Sequence, residues 1–174
     1  ALELIDLCNH HPRVNILSPG VGVGGHCVAV DPWFLIKTAN GNAKLIELAR
    51  QRNIEKTDWV INKIKQESDK YLIKFKNQPK IALMGLSFKP NVSDLRESPS
   101  LLIAKTLINL GLDIVIVEPN IIFHPDFEIM STKDAIDCAD IVVYMVAHKE
   151  FYDLPVEHSR IVDFCGVTRS LDVS

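Results

Sequence analysis

Two short, unbroken apolar runs, "KIALMGL" starting at Lys80 and "DIVIVEP" starting at Asp113, constrain the fold of this chain most. Runs without polar alternation are what strands buried on both faces of a parallel sheet show. The segment between them, "SPSLLIAKTLINLG", carries the punctuation of a helix. Ser98 is a candidate N-cap, Pro99 takes the first helical position and Gly111 marks the stop. "ADIVVYMV" and "SRIVDFCG" read as two more strands, with "STKDAIDC" as an intervening helix. Strand–helix–strand alternation with short joints predicts an α/β unit over residues 79–174, a Rossmann-like parallel sheet covered on both faces.

Residues 41–78 read as one long helical segment. Ala43, Ile46 and Ala49 share a face, and Val60, Ile61, Ile64, Tyr71, Leu72 and Phe75 continue the stripe. Lys56, Lys63, Lys65, Lys70 and Lys74 take the outward positions. Such a stripe packs against another helix, from the same domain or from a second subunit, and the pattern leaves both open. Residues 1–40 form a third section. It opens "ALELIDLCNHHPRVN", apolar at Leu2, Ile5 and Cys8, as in a helix already under way and without an initiator Met. The chain is therefore expected to be a piece of a longer protein.

With 47% hydrophobic and 24% charged residues, the composition is that of a globular protein and argues against disorder. A formal charge of −3 offers no global attraction to polyphosphate, which disfavours nucleic acid and leaves room only for a local basic pocket. No apolar run reaches the roughly 18 residues of a membrane span, and no secretory signal is visible. The four cysteines, Cys8, Cys27, Cys138 and Cys165, show no CxxC spacing. No metal site or disulfide framework is expected, and the natural setting is reducing and cytoplasmic.

"SPGVGVGGHCVAVDPWFLI", residues 18–36, carries the chemistry. Gly20, Gly22, Gly24 and Gly25 allow close backbone approach, to a ligand or to neighbouring structure. They follow no predicted strand and lack the dinucleotide fingerprint. Cys27 is either a small packed residue or a nucleophile, and the latter needs nearby positive charge or a base. Asp31 either orients a water or caps the turn before Pro32. His11 and Arg13 offer cations upstream, or form a solvated loop. A second cluster, "GLSFKPNVSDLRESPS", follows the first strand and belongs at the carboxyl edge of the sheet, where such folds bind ligands. Lys89 and Arg96 are candidate anion contacts there, unless Asp94 and Glu97 pair with them as surface ion bridges.

In order and spacing, these two motifs resemble the UDP-glucose/GDP-mannose dehydrogenase family, the nucleotide-sugar 6-dehydrogenases. The resemblance covers essentially the whole chain. It implies oxidation of a sugar C6 alcohol to a carboxylate in two steps with two NAD+, through a cysteine thiohemiacetal and thioester. It points to UDP-N-acetyl-D-mannosamine as the sugar, with UDP-GlcNAc and UDP-glucose as the nearest alternatives. By motif match it implies that Cys27 is the nucleophile and Asp31 the acid assisting it and the hydrolytic water. Ser18, Pro19, Gly20, Gly22 and Gly24 match the substrate loop. His11 and Arg13 match sugar-nucleotide contacts reaching across a homodimer built on the central helix. Phe88 and Lys89 match the UDP site, Arg96 and Val28 cofactor contacts, and Arg169 a weaker substrate contact. The family's amino-terminal NAD-binding domain is absent from this sequence, as are the lysine and asparagine of its connecting helix, so no turnover is expected from these residues alone. Two other readings stand beside this one: a non-catalytic nucleotide-binding or dimerisation module, and a Cys–His hydrolase using His124, His148 or His158.

Overall fold

The computed structural model describes residues 2–154 and 160–168. Three helices come first, α1 (Leu2–Asn9), α2 (Asp31–Thr38) and the long α3 (Lys44–Phe75). Strand and helix then alternate as β1 (Lys80–Met84), α4 (Pro99–Asn109), β2 (Asp113–Val117), α5 (Thr132–Cys138), β3 (Ile141–Tyr144) and β4 (Ile161–Asp163). A 3-10 turn, Lys149–Phe151, lies between β3 and β4. The strands pair in parallel in the order β2-β1-β3-β4, with Met84 level with both Val117 and Tyr144. The chain therefore leaves β1 toward one side of the sheet and β3 toward the other. That reversal opens a crevice at the carboxyl ends of the strands, the position where open α/β sheets take ligands.

Side chains alternate across the sheet, and both faces are covered. On one face Ile81, Leu83, Ile116, Ile141 and Val143 pack with Val60, Ile61 and Ile64 of α3 and Ile103 and Leu107 of α4. On the other, Ala82, Met84, Val115, Val142 and Tyr144 meet Ala135 of α5 and Phe151. Double-sided burial explains why the strands read as unbroken apolar runs. The predicted punctuation of α4 holds. Ser98 Oγ accepts from Leu101 N at 3.3 Å and donates to Leu86 O at 2.6 Å, so the cap also ties the helix to the turn after β1. Gly111, at φ +80°, ends it.

The stripe of α3 is used unevenly. Its middle is core, and Tyr71 further on donates its hydroxyl to Asp140 at 2.6 Å, while Ile46, Leu72 and Phe75 are exposed. Two sequence expectations need correction. Residues 31–38 form α2, which the pattern did not reveal: the helix has eight residues, no side-chain cap and no buried residue to set a period. Lys56, expected among the outward positions, is half-buried. Its ammonium sits 3.8 Å above the Trp59 ring centre, and burial holds its pKa below the ordinary lysine value.

Candidate functional site

The glycine-rich loop lies directly on the loop that follows β1. A Cβ at Gly24 would stand 2.3 Å from Glu97 O and 2.8 Å from Pro99 Cδ, so no side chain fits there. Gly25, at φ +95°, donates its N–H to Arg96 O at 3.1 Å and faces the Phe88 ring. From the other side α3 grips the same loop. Asn53 accepts from Val23 N at 2.7 Å and donates to Val23 O at 3.0 Å, and Thr57 Oγ1 donates to Val21 O at 3.4 Å. Bare backbone here brings two loops together as one wall.

That wall and the crevice at the strand ends enclose a cavity of about 790 Å³. The volume falls within the range of small-molecule and cofactor sites. Ser18, Pro19, Gly20, Gly22 and Gly24 form one side, Phe88 and Lys89 another, and Val28 the rim. The sequence reading missed other liners, among them Lys56 and Asn53 from α3 and Tyr152 beyond the 3-10 turn. A signal for the first two existed. Asn53, Lys56 and Thr57 stand three and four residues apart, so they share one face of α3 and interrupt its apolar stripe with a polar patch.

Cys27 is exposed in the turn between Gly24 and α2, next to the rim residue Val28. Its carbonyl accepts from Val30 N at 3.0 Å and Asp31 N at 2.8 Å, which starts α2 and fixes Asp31 as that helix's first residue. The nearby cation is Arg96, and it is already engaged: Nε and Nη2 contact the two Asp94 oxygens at 3.0 and 2.6 Å. The Arg96 side chain and backbone N–H together hold the Asp94 carboxyl down at about 2, with a smaller contribution from His26. Asp94 raises the Arg96 pKa in turn, and the Cys27 sulfur adds a weaker contribution in the same direction. Of the two readings of this cluster, the ion bridge is the one the structure contains for Asp94, while Glu97 lends its carbonyl to the packing at Gly24.

Other expected residues lie apart. His11 and Arg13 are exposed in the turn after α1, with Arg13 N donating to His11 Nδ1 at 3.2 Å, and neither lines the cavity. Arg96 and Asp31 are also off the wall. Arg169 and His158 lie outside the described residues. His124 Nδ1 accepts from Asp126 N at 3.1 Å, and His148 is fully buried against Glu118. No helix among the described residues is long and apolar enough to cross a membrane.

Binding of NAD can be tested on the turn after β1, whose amides would hold a pyrophosphate in a dinucleotide-binding sheet. Here Leu86 N and Ser87 N both donate to Glu118 Oε2, at 2.7 and 3.0 Å, from the carboxyl end of β2. Gly85, at φ +96°, is pressed on Val146, where a Cβ would come within 2.6 Å. A protein carboxylate occupies the donors of this turn, so the turn itself does not serve as a pyrophosphate cradle.

A parallel α/β unit with a cavity of nucleotide dimensions at its strand reversal belongs to the class of nucleotide-binding sheets. The chain is a member of the UDP-glucose/GDP-mannose dehydrogenase family: residues 1–55 match its central domain and residues 82–170 its UDP binding domain. It is 45% identical to the UDP-N-acetyl-D-mannosamine dehydrogenase of Campylobacter jejuni, over 94% of this chain and 40% of that protein. It is 44% identical to the NDP-N-acetyl-D-galactosaminuronic acid dehydrogenase of Ralstonia solanacearum, over 92% of this chain and 38% of that one. The chain thus spans about 40% of the length of the curated relatives it matches. Among solved structures, the UDP-D-ManNAc dehydrogenase of Pyrococcus horikoshii superposes with a TM-score of 0.77 at 29% identity, over 95% of this chain and 40% of that one.

Proposed function

We propose that this chain supplies the sugar-nucleotide-binding and cysteine-bearing part of a UDP-sugar 6-dehydrogenase, acting on UDP-N-acetyl-D-mannosamine. The observation that carries the reading is the position of Cys27, exposed in the turn between two residues that line the cavity, Gly24 and Val28. The likeness to the Campylobacter jejuni enzyme supports the choice of sugar.

In this reading Lys89 and Lys56 face the diphosphate from opposite walls, and the glycine strip leaves room for the hexose. Cys27 sulfur attacks the C6 aldehyde carbon, forming a C–S bond as the carbonyl electron pair moves to oxygen. Once that carbon has been oxidised to the thioester, water attacks it, the C–S bond breaks, and carboxylate and thiol are released. Asp31, at the start of α2, orients that water. When bound, the family's NAD would supply the hydride acceptor. Arg96 and Val28 would contact it from this chain. His11, Arg13 and Arg169 serve a sugar nucleotide when a second copy packs along α3 in a cytoplasmic homodimer. Residues 1–40, 41–78 and 79–174 are then the cysteine loop, the dimer helix and the UDP-sugar domain.

The test is a chain completed to family length with the amino-terminal half of a relative. It should convert UDP-N-acetyl-D-mannosamine to the uronate with two NADH per sugar, and Cys27→Ser should stop uronate formation. Undiminished two-step oxidation by Cys27→Ser would remove the mechanism. Preference for UDP-N-acetyl-D-galactosamine would move the substrate to the branch of the Ralstonia solanacearum relative. The 174-residue chain alone should produce no NADH.

A further inference from the structure

The sharpest polar cluster outside the site just described lies beneath it. His148 is 0% and Glu118 2% exposed, and both stand at the carboxyl edge of the sheet, after β3 and at the end of β2. Five donors converge on the Glu118 carboxylate. Oε2 takes Leu86 N, Ser87 N and His148 Nε2, the last at 3.1 Å, and Oε1 takes Asn120 N at 3.0 Å and Asn120 Nδ2 at 3.4 Å. Burial raises the Glu118 pKa, but the bonds from His148, Leu86 and Asn120 outweigh it and hold the group below its ordinary value.

The histidine's protonation follows from its neighbours. Asn91 N donates to Nδ1 at 3.0 Å, and a backbone N–H cannot reverse its role. Nδ1 therefore carries a lone pair, and the single ring proton sits on Nε2, facing Glu118. Ser87 Oγ approaches the same Nε2 at 3.3 Å and sends its own proton to Lys89 O at 2.8 Å. Serine and acid on one nitrogen do not make a relay, because the nitrogen that would accept the serine proton already bears one. The cluster holds structure instead. It grips the segment Ser87–Asn91 at both ends: Ser87 through Glu118 and His148, and Asn91, at φ +60°, through His148 Nδ1 and through Lys149 N, which donates to Asn91 Oδ1 at 2.9 Å. Phe88, Lys89 and Pro90, all on the cavity wall, are the residues suspended between.

We infer that His148 and Glu118 are the positioning pair for this wall, and that their hold on it requires a hydrogen-bond acceptor at His148 Nδ1. The inference rests on the proposed binding of a UDP-sugar in the cavity. A second proton on Nδ1 would meet the Asn91 N–H head-on, and also the Asn120 amide drawn to 3.0 Å from the same nitrogen. The asparagine can rotate away; the backbone cannot. Among the described residues, the groups around the ring are Glu118 from β2, Ser87 from the turn after β1, Asn120 from the turn after β2, Asn91, and Phe151 edge-on at 5.4 Å. Glu118 is the titratable one. Loss of the acceptor at Nδ1 should therefore release Asn91 and let Phe88 and Lys89 drift, weakening sugar-nucleotide binding.

The experiment compares His148→Leu and His148→Asn in the completed enzyme, and hydrogen exchange over residues 87–91 in both that enzyme and the 174-residue chain. Leucine removes the acceptor, whereas the asparagine Oδ1 stands in for Nδ1 and takes no proton. His148→Leu should raise KM for the UDP-sugar roughly tenfold, as loss of a buried hydrogen bond to the wall implies. It should leave kcat and the KM for NAD+ within about twofold and speed exchange over 87–91. His148→Asn should return KM toward wild type and restore slow exchange over 87–91. The inference falls if His148→Leu leaves KM and exchange unchanged, or if kcat and both KM values move together. It falls equally if His148→Asn is as impaired as His148→Leu in both KM and exchange. If His148→Leu does not fold, His148→Asn and the exchange data decide alone. Failure of the wild-type completed enzyme to bind UDP-sugar would instead reject the proposed function, and exchange in the 174-residue chain would still judge the anchoring.

Discussion

Asn53 and Val23 are joined by a two-point clamp: one carboxamide accepts the Val23 N–H at 2.7 Å and returns a bond to the Val23 carbonyl at 3.0 Å. The glycine loop thereby inherits its position from the long helix. Asn53→Ala should destabilise the chain by about 1–3 kcal/mol, the range for two hydrogen bonds that link separate elements. Urea denaturation measures this directly. A change below about 0.5 kcal/mol, the level of an ordinary surface substitution, would mean that the loop is held elsewhere.

Two glycines in the same motif should behave oppositely. Gly24→Ala drives a methyl into Glu97 O at 2.3 Å, while at Gly20 an added Cβ meets nothing within 4 Å. Overpacking against backbone costs roughly 1–3 kcal/mol, and Gly20→Ala should stay near neutral. Equal denaturation midpoints for the two variants would sink this account of the loop.

Thiol labelling should separate the cysteines by surroundings. Cys27 and Cys138 are exposed, whereas Cys165 is buried, and burial followed by the Asp163 charge pushes its thiol well up from the ordinary value. Iodoacetamide followed by peptide mapping should modify Cys27 and Cys138 well before Cys165. UDP-sugar should then slow labelling at Cys27 and not at Cys138. Protection of both, or of neither, would detach Cys27 from the cavity.

The Asp94–Arg96 bridge sets a pH dependence with a definite sign. The folded carboxyl titrates at about 2, below its ordinary 3.8, so the bridge contributes stability above about pH 4 and loses it as pH falls toward 2. Arg96 is exposed and Asp94 half-buried, so solvent screens the pair and the effect will be small. Urea midpoints between pH 5 and 2.5 should fall more steeply for wild type than for Asp94→Asn. Parallel curves would show that the bridge adds nothing to folding.

Lys56→Met keeps the stem over Trp59 and removes the charge from the cavity wall. If the cavity takes a diphosphate, UDP affinity in the completed enzyme should fall about tenfold, the size of one charge-assisted hydrogen bond, measured by titration calorimetry. Unchanged affinity would assign this lysine to packing alone.

The parallel sheet was legible because every strand but the short β4 is buried on both faces and α4 carries local signals, Ser98, Pro99 and Gly111, that need no distant partner. Helix α2 was not, since it is short and buries none of its residues. The site divides the same way. Glycines and Cys27 announce themselves by type, and Phe88 and Lys89 by following a strand. The inward turn of Lys56 depends on Trp59 one helical turn away and on a loop more than thirty residues upstream, and the Glu118–His148 contact joins the ends of two strands. Spacing along the chain carries no record of such meetings.

Glu118 makes the turn after β1 a filled socket, with its own tethered counter-ion in the seat. Emptying it by Glu118→Ala would leave amide hydrogens facing a vacancy the size of a small oxyanion. A chain so altered would acquire an appetite for free phosphate or sulfate that the native one satisfies from within.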